Sequence, residues 1–318
     1  MWNTAHSASL NDMPYLFVHF REKLTQDGEQ VHFAVSRNGY DWKTLNGGKP
    51  IITCDKGDLG CRDIEIVRLQ SGGFVLIATD LCIVRHMDEN YAVNWQNLSH
   101  NGSRCLSLWR TDDLLHFSPQ ERIDFSGNGF GCLWAPEVFY DEKRNEYLLH
   151  WSSMKQERMA IYCCTTKDFR SFSEPRLFFQ KQNDVIDSHI VKHNGSYHLF
   201  YKNCDSPSMC MHAVSEELYG PYQSDELFSA LMTSLEKPGC YEAPTTLELP
   251  DGRWCLLLDF FGCEKEKMGY VPFVSSSVNT AFVRKDTLFT FPYGFKHGHA
   301  VPITNTEYDA ICAYHGTG

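Results

Sequence analysis

The sequence predicts an all-β fold, a five-bladed β-propeller that forms a single domain over residues 1–318. Short runs rich in Val, Ile, Tyr, Phe and Trp alternate with Gly, Asn, Asp and Pro along the whole chain, as strands and turns do. A short motif recurs at residues 36, 111, 166 and 215. Repeats of roughly 40–50 residues with four strands each are typical of propellers. No stretch shows a sustained helical period with caps, so no helix is predicted.

The recurring motif has Ser or Thr, any residue, then Asp, Asn or Glu, a turn, and an aromatic residue. Its copies are residues 36–42, 111–117, 166–172 and, with one insertion, 215–222. Such a motif combines a strand end, a polar turn whose side chain bonds the backbone, and the start of the next strand. It therefore marks the boundaries of the blades.

An inner strand precedes each blade's outer strands, at residues 62–68, 134–140, 186–191 and 241–246. The fifth blade combines the N-terminal strands, residues 15–45, with a C-terminal strand at 299–304. Pairing of this C-terminal strand with residues 15–20 closes the ring and removes the open sheet edge.

The inner strands place acidic side chains at one mouth of a central channel. Their alignment assigns one equivalent position to Asp63, Ala135, Asp187 and Glu242. Residues further along the strands and facing the same side are Glu65, Glu137, His189 and Thr245. Converging carboxylates are what glycoside hydrolysis needs, because one protonates the leaving oxygen and another activates water or attacks. A third carboxylate can raise the pKa of the acid by repulsion.

Five short motifs resemble, in order and spacing, the signatures of glycoside hydrolase family 43: Arg62-Asp63, Trp134-Ala-Pro-Glu137, Ile186-Asp187, Glu242-Ala-Pro244 and His297-Gly298. The resemblance covers nearly the whole chain. It implies an inverting five-bladed enzyme, with Asp63 as general base, Asp187 as pKa modulator and Glu242 as general acid. The chain departs from the family at Ile64, Ser188 and Ala243, where Pro, Pro and Gly are usual, and this leaves the sugar open.

Seven further residues are candidates for substrate binding: Arg62, Asp80, Trp134, Glu137, His189, Lys202 and His297. Each also has a purely structural interpretation, such as a surface ion pair for Arg62 or a core position for Trp134. No cofactor is expected to be required. The resemblance implies a calcium ion or a water molecule in the central channel, with His297 as its ligand.

Composition argues against nucleic acid and membrane partners, and the resemblance implies an oligosaccharide or polysaccharide as substrate. The net charge is −11, and the sequence has no concentration of basic residues that would bind the phosphates of nucleic acid. No apolar run approaches the ~18 residues of a membrane span. The thirteen cysteines lack a Cys-x-x-Cys pair and are expected to be mostly buried free thiols, which suggests the cytoplasm. A periplasmic or secreted protein is expected instead if a signal peptide was removed.

The predicted function is that of an inverting exo-glycosidase that removes terminal sugars from plant or microbial polysaccharides, with α-L-arabinofuranosides as the expected substrate. Inserts at residues 80–105 and 225–240 would wall the channel into a pocket. A β-xylosidase, a β-galactosidase, a galactofuranosidase and a non-catalytic glycan-binding propeller are alternatives. A related β-fructosidase is a further alternative, but this chain lacks the N-terminal Asn-Asp-Pro-Asn motif of those enzymes. A glycoside phosphorylase would need basic groups for phosphate in addition to Arg62 and Lys202.

Overall fold

The computed structural model describes residues 13–21, 25–206, 208–263, 268–278, 281–292 and 294–317. β-strands dominate these residues, which confirms the all-β prediction. The strands form one eight-stranded sheet and three four-stranded sheets. Among the described residues, no helix is long and apolar enough to cross a membrane.

The three four-stranded sheets follow one another in the chain, and their strands lie side by side in chain order. The first contains β8 (Trp134–Asp141), β9 (Glu146–Lys155), β10 (Arg158–Thr166) and β11 (Arg176–Phe179). The second contains β12 (Val185–His193), β13 (Ser196–Asn203), β14 (Met209–Ser215) and β15 (Gln223–Ser224). The third contains β16 (Tyr241–Glu248), β17 (Trp254–Phe260), β18 (Gly269–Ser275) and β19 (Val283–Arg284).

The eight-stranded sheet joins the two ends of the chain in the order β3-β2-β1-β20-β4-β5-β6-β7. One half contains β1 (Tyr15–Arg21), β2 (His32–Ser36), β3 (Lys43–Thr44) and β20 (Phe295–Pro302). The other half contains β4 (Cys61–Arg68), β5 (Phe74–Asp80), β6 (Cys105–Thr111) and β7 (Glu121–Asp124). The predicted pairing of the C-terminal strand is present, since β20 runs antiparallel to β1 from Tyr15–Pro302 to Arg21–Phe295. The two halves meet at a single parallel pair, Gly298–Ile64.

Five groups of four strands can therefore be followed along the chain, and we number them as units: unit 1 is β4–β7, unit 2 β8–β11, unit 3 β12–β15, unit 4 β16–β19, and unit 5 β20 with β1–β3. Each unit shares an apolar cluster with the next. Ile77 of unit 1 packs in one cluster with Trp151 of unit 2, and Leu148 of unit 2 in another with Leu199 of unit 3. A further cluster joins units 4 and 5, through Leu257 and others.

In the part of the chain that the structure describes, three α-helices correct the expectation of none: α1 (Trp95–Asn101), α2 (Glu226–Ser234) and α3 (Asn305–His315). The helix α3 begins at Thr304 with a capping box, in which Thr304 and Glu307 bond each other's backbone N–H groups. The sequence shows this Thr-x-x-Glu pattern. The short α1 and α2 fall in the two predicted inserts.

The recurring turn motif has the predicted geometry. The Thr111 hydroxyl accepts a hydrogen bond from the backbone N–H of Leu114 at 2.8 Å. Thr166 accepts from Phe169 at 2.9 Å in the same way. The thirteen cysteines are free thiols and nine of them are buried, which confirms that prediction too.

Gly298 is predicted to be essential for the contact between β1, β20 and β4. A Cβ atom there would lie 1.9 Å from the Val18 carbonyl oxygen and 2.8 Å from the His19 Cα. Because backbone atoms cannot give way as a flexible side chain can, G298A should lower the free energy of unfolding by about 3 kcal/mol. Urea denaturation measures this loss.

The matched control is G127A, because a Cβ atom at Gly127 meets nothing within 4 Å. Equal stability of the two variants would contradict the close approach at Gly298.

Candidate active site

A β-bulge interrupts each of the inner strands β4, β8, β12 and β16 near its start. The register with the neighbouring strand shifts between Arg62 and Glu65, and at the same place in the other three strands. One residue of each bulge has the left-handed conformation: Asp63 (φ 53), Ala135 (φ 48), Asp187 (φ 53) and Ala243 (φ 51). Such a conformation is unfavourable for residues other than glycine and concentrates at functional sites.

This geometry corrects the alignment of the three carboxylates. Asp63 and Asp187 occupy equivalent bulge positions, but the corresponding residue of β16 is Ala243, so Glu242 comes one residue earlier. Glu242 is equivalent to Arg62, which precedes the bulge of β4. Alignment by residue type missed the offset because a bulge residue has no partner of its own in the ladder. Two of the four bulge positions are therefore acidic, and the third acid projects from a different position.

A polar residue near the end of the second strand of units 1 to 4 bonds the next unit. These polar residues are Thr79, Ser152, Lys202 and Asp259. Their partners on the inner strands are, in the same order, Arg62, Trp134, Ile186 and Glu242. The Thr79 hydroxyl accepts from the backbone N–H of Ala135 at 2.9 Å. Ser152 accepts from Asp187 at 3.0 Å. These bonds connect the bulge of one inner strand to the preceding unit.

Asp63 is held as an ion by its neighbours. The Thr79 hydroxyl donates to one carboxylate oxygen at 2.7 Å, and His297 Nδ1 lies 3.2 Å from the other. Burial alone would raise the pKa of Asp63, but the charges of His297 and Arg62 and the bond from Thr79 hold it below its usual value. For His297 the two effects are reversed, because burial lowers its pKa and the Asp63 carboxylate raises it. On balance the pKa of His297 rises to about 9. The two side chains form a charged pair.

Asp187 has the opposite tendency. Burial raises its pKa to about 7, against the attraction of His297, and repulsion from Glu242 and Asp63 acts in the same direction as burial. The backbone N–H of Ala243 donates to its carboxylate at 3.3 Å, which ties it to the strand that carries Glu242. The pKa values of Asp63 and Asp187 thus shift in opposite directions although their backbones are equivalent.

Glu242 lies next to Lys202 and faces a cavity. Lys202 Nζ lies 3.6 Å from a Glu242 carboxylate oxygen. The same ammonium group donates to the carbonyl oxygens of Gly239 at 2.9 Å and Tyr241 at 3.1 Å. Lys202 therefore fixes the backbone before Glu242 from the second strand of unit 3.

The cavity beside Glu242 has a volume of about 500 Å³. Its polar lining is formed by Arg21, Glu29, Arg62, Glu242 and Lys296. Its remaining lining consists of residues from the insert after β5 together with Phe261 and Met268. The insert thus lines the cavity that contains Glu242, as the sequence predicts for residues 80–105.

Basic side chains at the cavity are paired with acidic ones. Arg62 donates to Glu29 at 2.8 Å and its guanidinium lies over the Phe20 ring. Lys296 lies 2.8 Å from Asp259, and both are almost fully buried, with exposed fractions of 3% and 0%. Asp259 faces Glu242 across the β16–β17 pair. The Lys296–Asp259 pair thus supports the strand segment that carries Glu242, since breaking a buried pair leaves an uncompensated charge.

Two predicted substrate residues lie elsewhere. The Asp80 carboxylate is 2% exposed and accepts hydrogen bonds from Ser103, Arg122 and the backbone of Asp58. These bonds occupy it, so Asp80 is a structural residue of the insert. The Trp134 ring packs edge-on against Trp95, with 6.1 Å between centroids, beside the apolar cluster of the insert.

Glu137 and His189 lie deeper than the three acids, in a buried polar ring. His189 Nδ1 lies 2.8 Å from a Glu137 oxygen, and its other nitrogen lies 2.8 Å from the Thr246 hydroxyl. Two residues along a strand correspond to about 7 Å, so this ring lies further along the inner strands than the bulge residues. The expectation that they contact sugar is not supported by this placement, because each is bonded to its neighbours.

His299 joins this ring, where the sequence analysis expected His297. Ligand atoms of Glu137, His189 and His299 lie within 4.8 Å of one another, so these three could hold a cation. His297 instead pairs with Asp63. The two histidines lie two positions apart on β20, with Gly298 between them.

Several site residues escaped sequence analysis, and some left a signal. Thr79, Ser152 and Asp259 each end an apolar run of the second strand, as Lys202 does, and this shared polar position could have revealed them. Lys296 precedes the His-Gly motif. Glu29 and Arg21 come from the N-terminal strands and carry no recognisable pattern.

The fold and the site together define a class of protein. Buried carboxylates with different protonation tendencies converge beside a cavity in a protein made of small antiparallel sheets, which is the constellation that glycoside hydrolysis requires.

The model of a protein family described as a probable glycosyl hydrolase domain, related to family 43, matches residues 11–309. The chain belongs to this family. Its curated relatives include an α-L-arabinofuranosidase of Bifidobacterium longum subsp. longum, with 28% identity over 220 residues. That match covers 60% of this chain and 20% of the relative, so the chain spans about a fifth of the relative's length.

Solved structures with a similar fold have low sequence identity to this chain. The family 43 protein BlXynB of Bacillus licheniformis aligns with a TM-score of 0.57 and 15% identity, over 89% of this chain and 54% of that one. An endo-arabinase of Bacteroides thetaiotaomicron aligns with a TM-score of 0.58 and 14% identity, over 82% and 88%. At these identities the likeness supports the fold.

The Thr79 hydroxyl is predicted to be a key link of the site. T79V removes both the acceptor of the Ala135 N–H and the donor to Asp63. Because a buried polar group left without a partner costs about 1–3 kcal/mol, the free energy of unfolding should fall by that amount. Urea unfolding monitored by tryptophan fluorescence measures it.

The control is T79S, which keeps the hydroxyl and should lose less than half as much stability. If T79S and T79V are equally destabilised, the methyl packing and not the hydrogen bonds explains the loss.

Proposed function

We propose that the five units are the blades of a closed propeller, with β4, β8, β12, β16 and β20 around a central channel. The order of the sheets, the β1–β20 pairing and the apolar clusters between consecutive units support this arrangement. Side chains of four inner strands also meet in the buried ring, where Glu65, Glu137, His189 and His299 interact. A closed ring has no unpaired inner edge.

We infer that the protein is an inverting glycoside hydrolase. The observation that carries this proposal is the different protonation of two carboxylates at equivalent bulges, with Asp63 held ionised and Asp187 held towards its acid form. Asp63 and Glu242 belong to units 1 and 4, which are not neighbours in the proposed ring. Separated carboxylates leave room for the attacking water that inversion requires.

In the proposed reaction Asp63 accepts a proton from water while the water oxygen attacks the anomeric carbon. Glu242 donates its proton to the glycosidic oxygen as the bond from that oxygen to the anomeric carbon breaks. The charge of Asp63 is maintained by His297 and Thr79, which also fix its orientation. Burial raises the pKa of Asp187, the charges of Glu242 and Asp63 add to this effect, and its carboxylate accepts a hydrogen bond from the strand that carries Glu242.

The proposed substrate is a terminal α-L-arabinofuranoside. The curated relative is called an arabinofuranosidase, and this is the support for the sugar. Structural neighbours include an endo-arabinase and an exo-β-1,3-galactanase, so xylosides and galactosides belong in the same substrate screen. The insert that walls the cavity supports exo action.

A glycoside phosphorylase is less well supported. Such an enzyme needs basic groups available for phosphate, whereas the basic side chains at this cavity are engaged. Arg62 pairs with Glu29, Lys296 with Asp259, and Arg21 donates to the carbonyl oxygen of Gly48 at 2.9 Å.

The leaving group should distinguish the two catalytic roles. E242Q removes the proton donor and should lower kcat/KM for an arabinofuranosyl disaccharide by about 10²–10⁴-fold. The loss should be much smaller with a 2,4-dinitrophenyl arabinofuranoside, whose leaving group needs no proton. D63N should lower the rates for both substrates alike, because both reactions need Asp63 to activate the attacking water.

The matched control is E248Q, an exposed glutamate on the same strand β16, which should keep wild-type rates. The anomer first formed, followed by NMR, should be inverted. A retained anomer would contradict inversion, and full activity of E242Q would contradict the site.

We further propose a divalent cation in the channel, held by Glu137, His189 and His299. The residues fit such an ion. One Glu65 oxygen is buried without a hydrogen-bond partner among the described residues, although it lies 3.0 Å from His299 Nδ1. Burial and repulsion from Glu137 raise the pKa of Glu65. A bound cation would supply the positive charge that offsets these two carboxylates.

Calcium is the first ion to test because of the carboxylates, and zinc the second because of the imidazoles. Adding the bound ion to protein treated with EDTA should raise the Tm by several degrees, and E137Q should abolish the rise. The exposed Glu142 supplies the control variant E142Q, which should keep it. A Tm insensitive to both ions would contradict the site.

A further inference from the structure

The lining of the cavity beside Glu242 combines charged groups with an apolar surface. The charged groups include Arg62, Glu242 and Lys296. Most of the apolar residues come from the insert between β5 and β6, and we call their surface the aromatic wall. It is formed by Ile83, Val84, Met87, Tyr91, Val93 and Trp95.

The aromatic wall exposes two large rings. Tyr91 is 72% exposed and Trp95 is 48% exposed. Large apolar side chains that gather at the edge of a concave site mark a binding surface, whereas single exposed ones are unremarkable elsewhere. Both rings belong to the same cavity as Glu242, so they extend the proposed active site.

The aromatic wall is built as a fixed surface. Ile83 of the wall packs in a buried cluster with Leu81 and Leu98, and Met87 and Val93 pack against this cluster. The Asp88 carboxylate accepts hydrogen bonds from the backbone N–H groups of residues 90 and 92, at 2.8 and 2.9 Å, and so closes the turn that carries Tyr91.

The base of Trp95 is fixed as well. The Asn94 side chain caps the first turn of α1, which begins at Trp95. The Trp134 ring packs edge-on against Trp95 at an interplanar angle of 87°. The surface is therefore ordered before a sugar binds. This preorganisation lowers the entropic cost of binding and so favours affinity.

We propose that the aromatic wall binds the leaving-group sugar of the substrate, with Tyr91 and Trp95 as the rings on which it stacks. This inference rests on the proposed function. A general acid must reach the glycosidic oxygen, so the leaving group lies on the Glu242 side of the scissile bond. The aromatic wall is the apolar surface of the cavity that Glu242 itself lines.

The chemistry of the aromatic wall selects the leaving group. A sugar ring presents a face of C–H groups, which pack on the electron-rich face of an aromatic ring, and its hydroxyls point outward to water. The wall supplies rings and apolar side chains, and these recognise a ring face and do not bind a charge. The substrate class is therefore a terminal sugar attached to another sugar, as in a branched oligosaccharide, and not a glycoside of a small alcohol.

The test compares two substrates that differ only in the leaving group, a methyl arabinofuranoside and an arabinofuranosyl oligosaccharide. The variants are Y91A, W95A and the double variant. Each single variant should lower kcat/KM for the oligosaccharide by about tenfold, the size expected for one stacked ring, and for the methyl glycoside by less than threefold. W95F should recover most of the loss because it keeps a ring.

Tyr314 supplies the control, because it is 57% exposed on α3 outside the cavity. Y314A should behave as wild type with both substrates. Equal losses with both substrates in Y91A and W95A would overturn the proposal, and so would the absence of any loss. Circular dichroism and Tm of each variant separate these results from misfolding.

A binding measurement distinguishes failure of this inference from failure of the proposed function. If the wild-type protein hydrolyses no glycoside, the proposed function fails. Calorimetric titration of the wild-type protein and E242Q with the oligosaccharide then still tests the wall. Binding that W95A weakens about tenfold supports it, and no binding or unaltered binding contradicts it.

Discussion

The β-bulge at the start of the inner strands is the constraint on which the site depends. In an unbroken strand, consecutive side chains alternate between the faces of the sheet and cannot both reach one channel mouth. The bulge inserts a residue in the left-handed conformation and re-aims the chain, so Asp63 and Asp187 face inward. The strain costs about 1 kcal/mol for each non-glycine residue. Hydrogen bonds that the N–H groups of Ala135 and Asp187 donate to the hydroxyls of Thr79 and Ser152 help to offset it.

Electrostatics then divides equivalent positions into different roles. Asp63 receives a hydroxyl and an imidazolium and stays ionised, whereas Asp187 receives one backbone N–H and lies near two other carboxylates. The difference comes from their neighbours and not from their own backbone. Buried charges elsewhere at the site obey the same rule, since the ammonium of Lys296 faces Asp259. A buried charge without such a partner would cost several kcal/mol.

The sequence was sufficient for the strand pattern and the turn motif. It was also sufficient for the pairing of the two ends of the chain, because apolar periodicity and turn chemistry are local properties. It also brought Asp63, Asp187, Glu242 and Lys202 into one region. It could not place Glu242 correctly, since a bulge changes the register without changing the composition. Asp80 was mistaken for a site residue because an acid at a strand end looks the same whether its bonds go to sugar or, as here, to Ser103 and Arg122.

The bulges of β8 and β16 have a consequence for evolution. Ala135 and Ala243 adopt the same left-handed conformation as the two aspartates although a methyl group has no chemistry to offer. The conformation therefore belongs to the repeating architecture, and it persists where it has no catalytic use. Units 1 to 4 each carry this preformed backbone position, whether or not an acid occupies it. New activities can arise in such a protein by exchanging the side chain at one such position, with the backbone already in place.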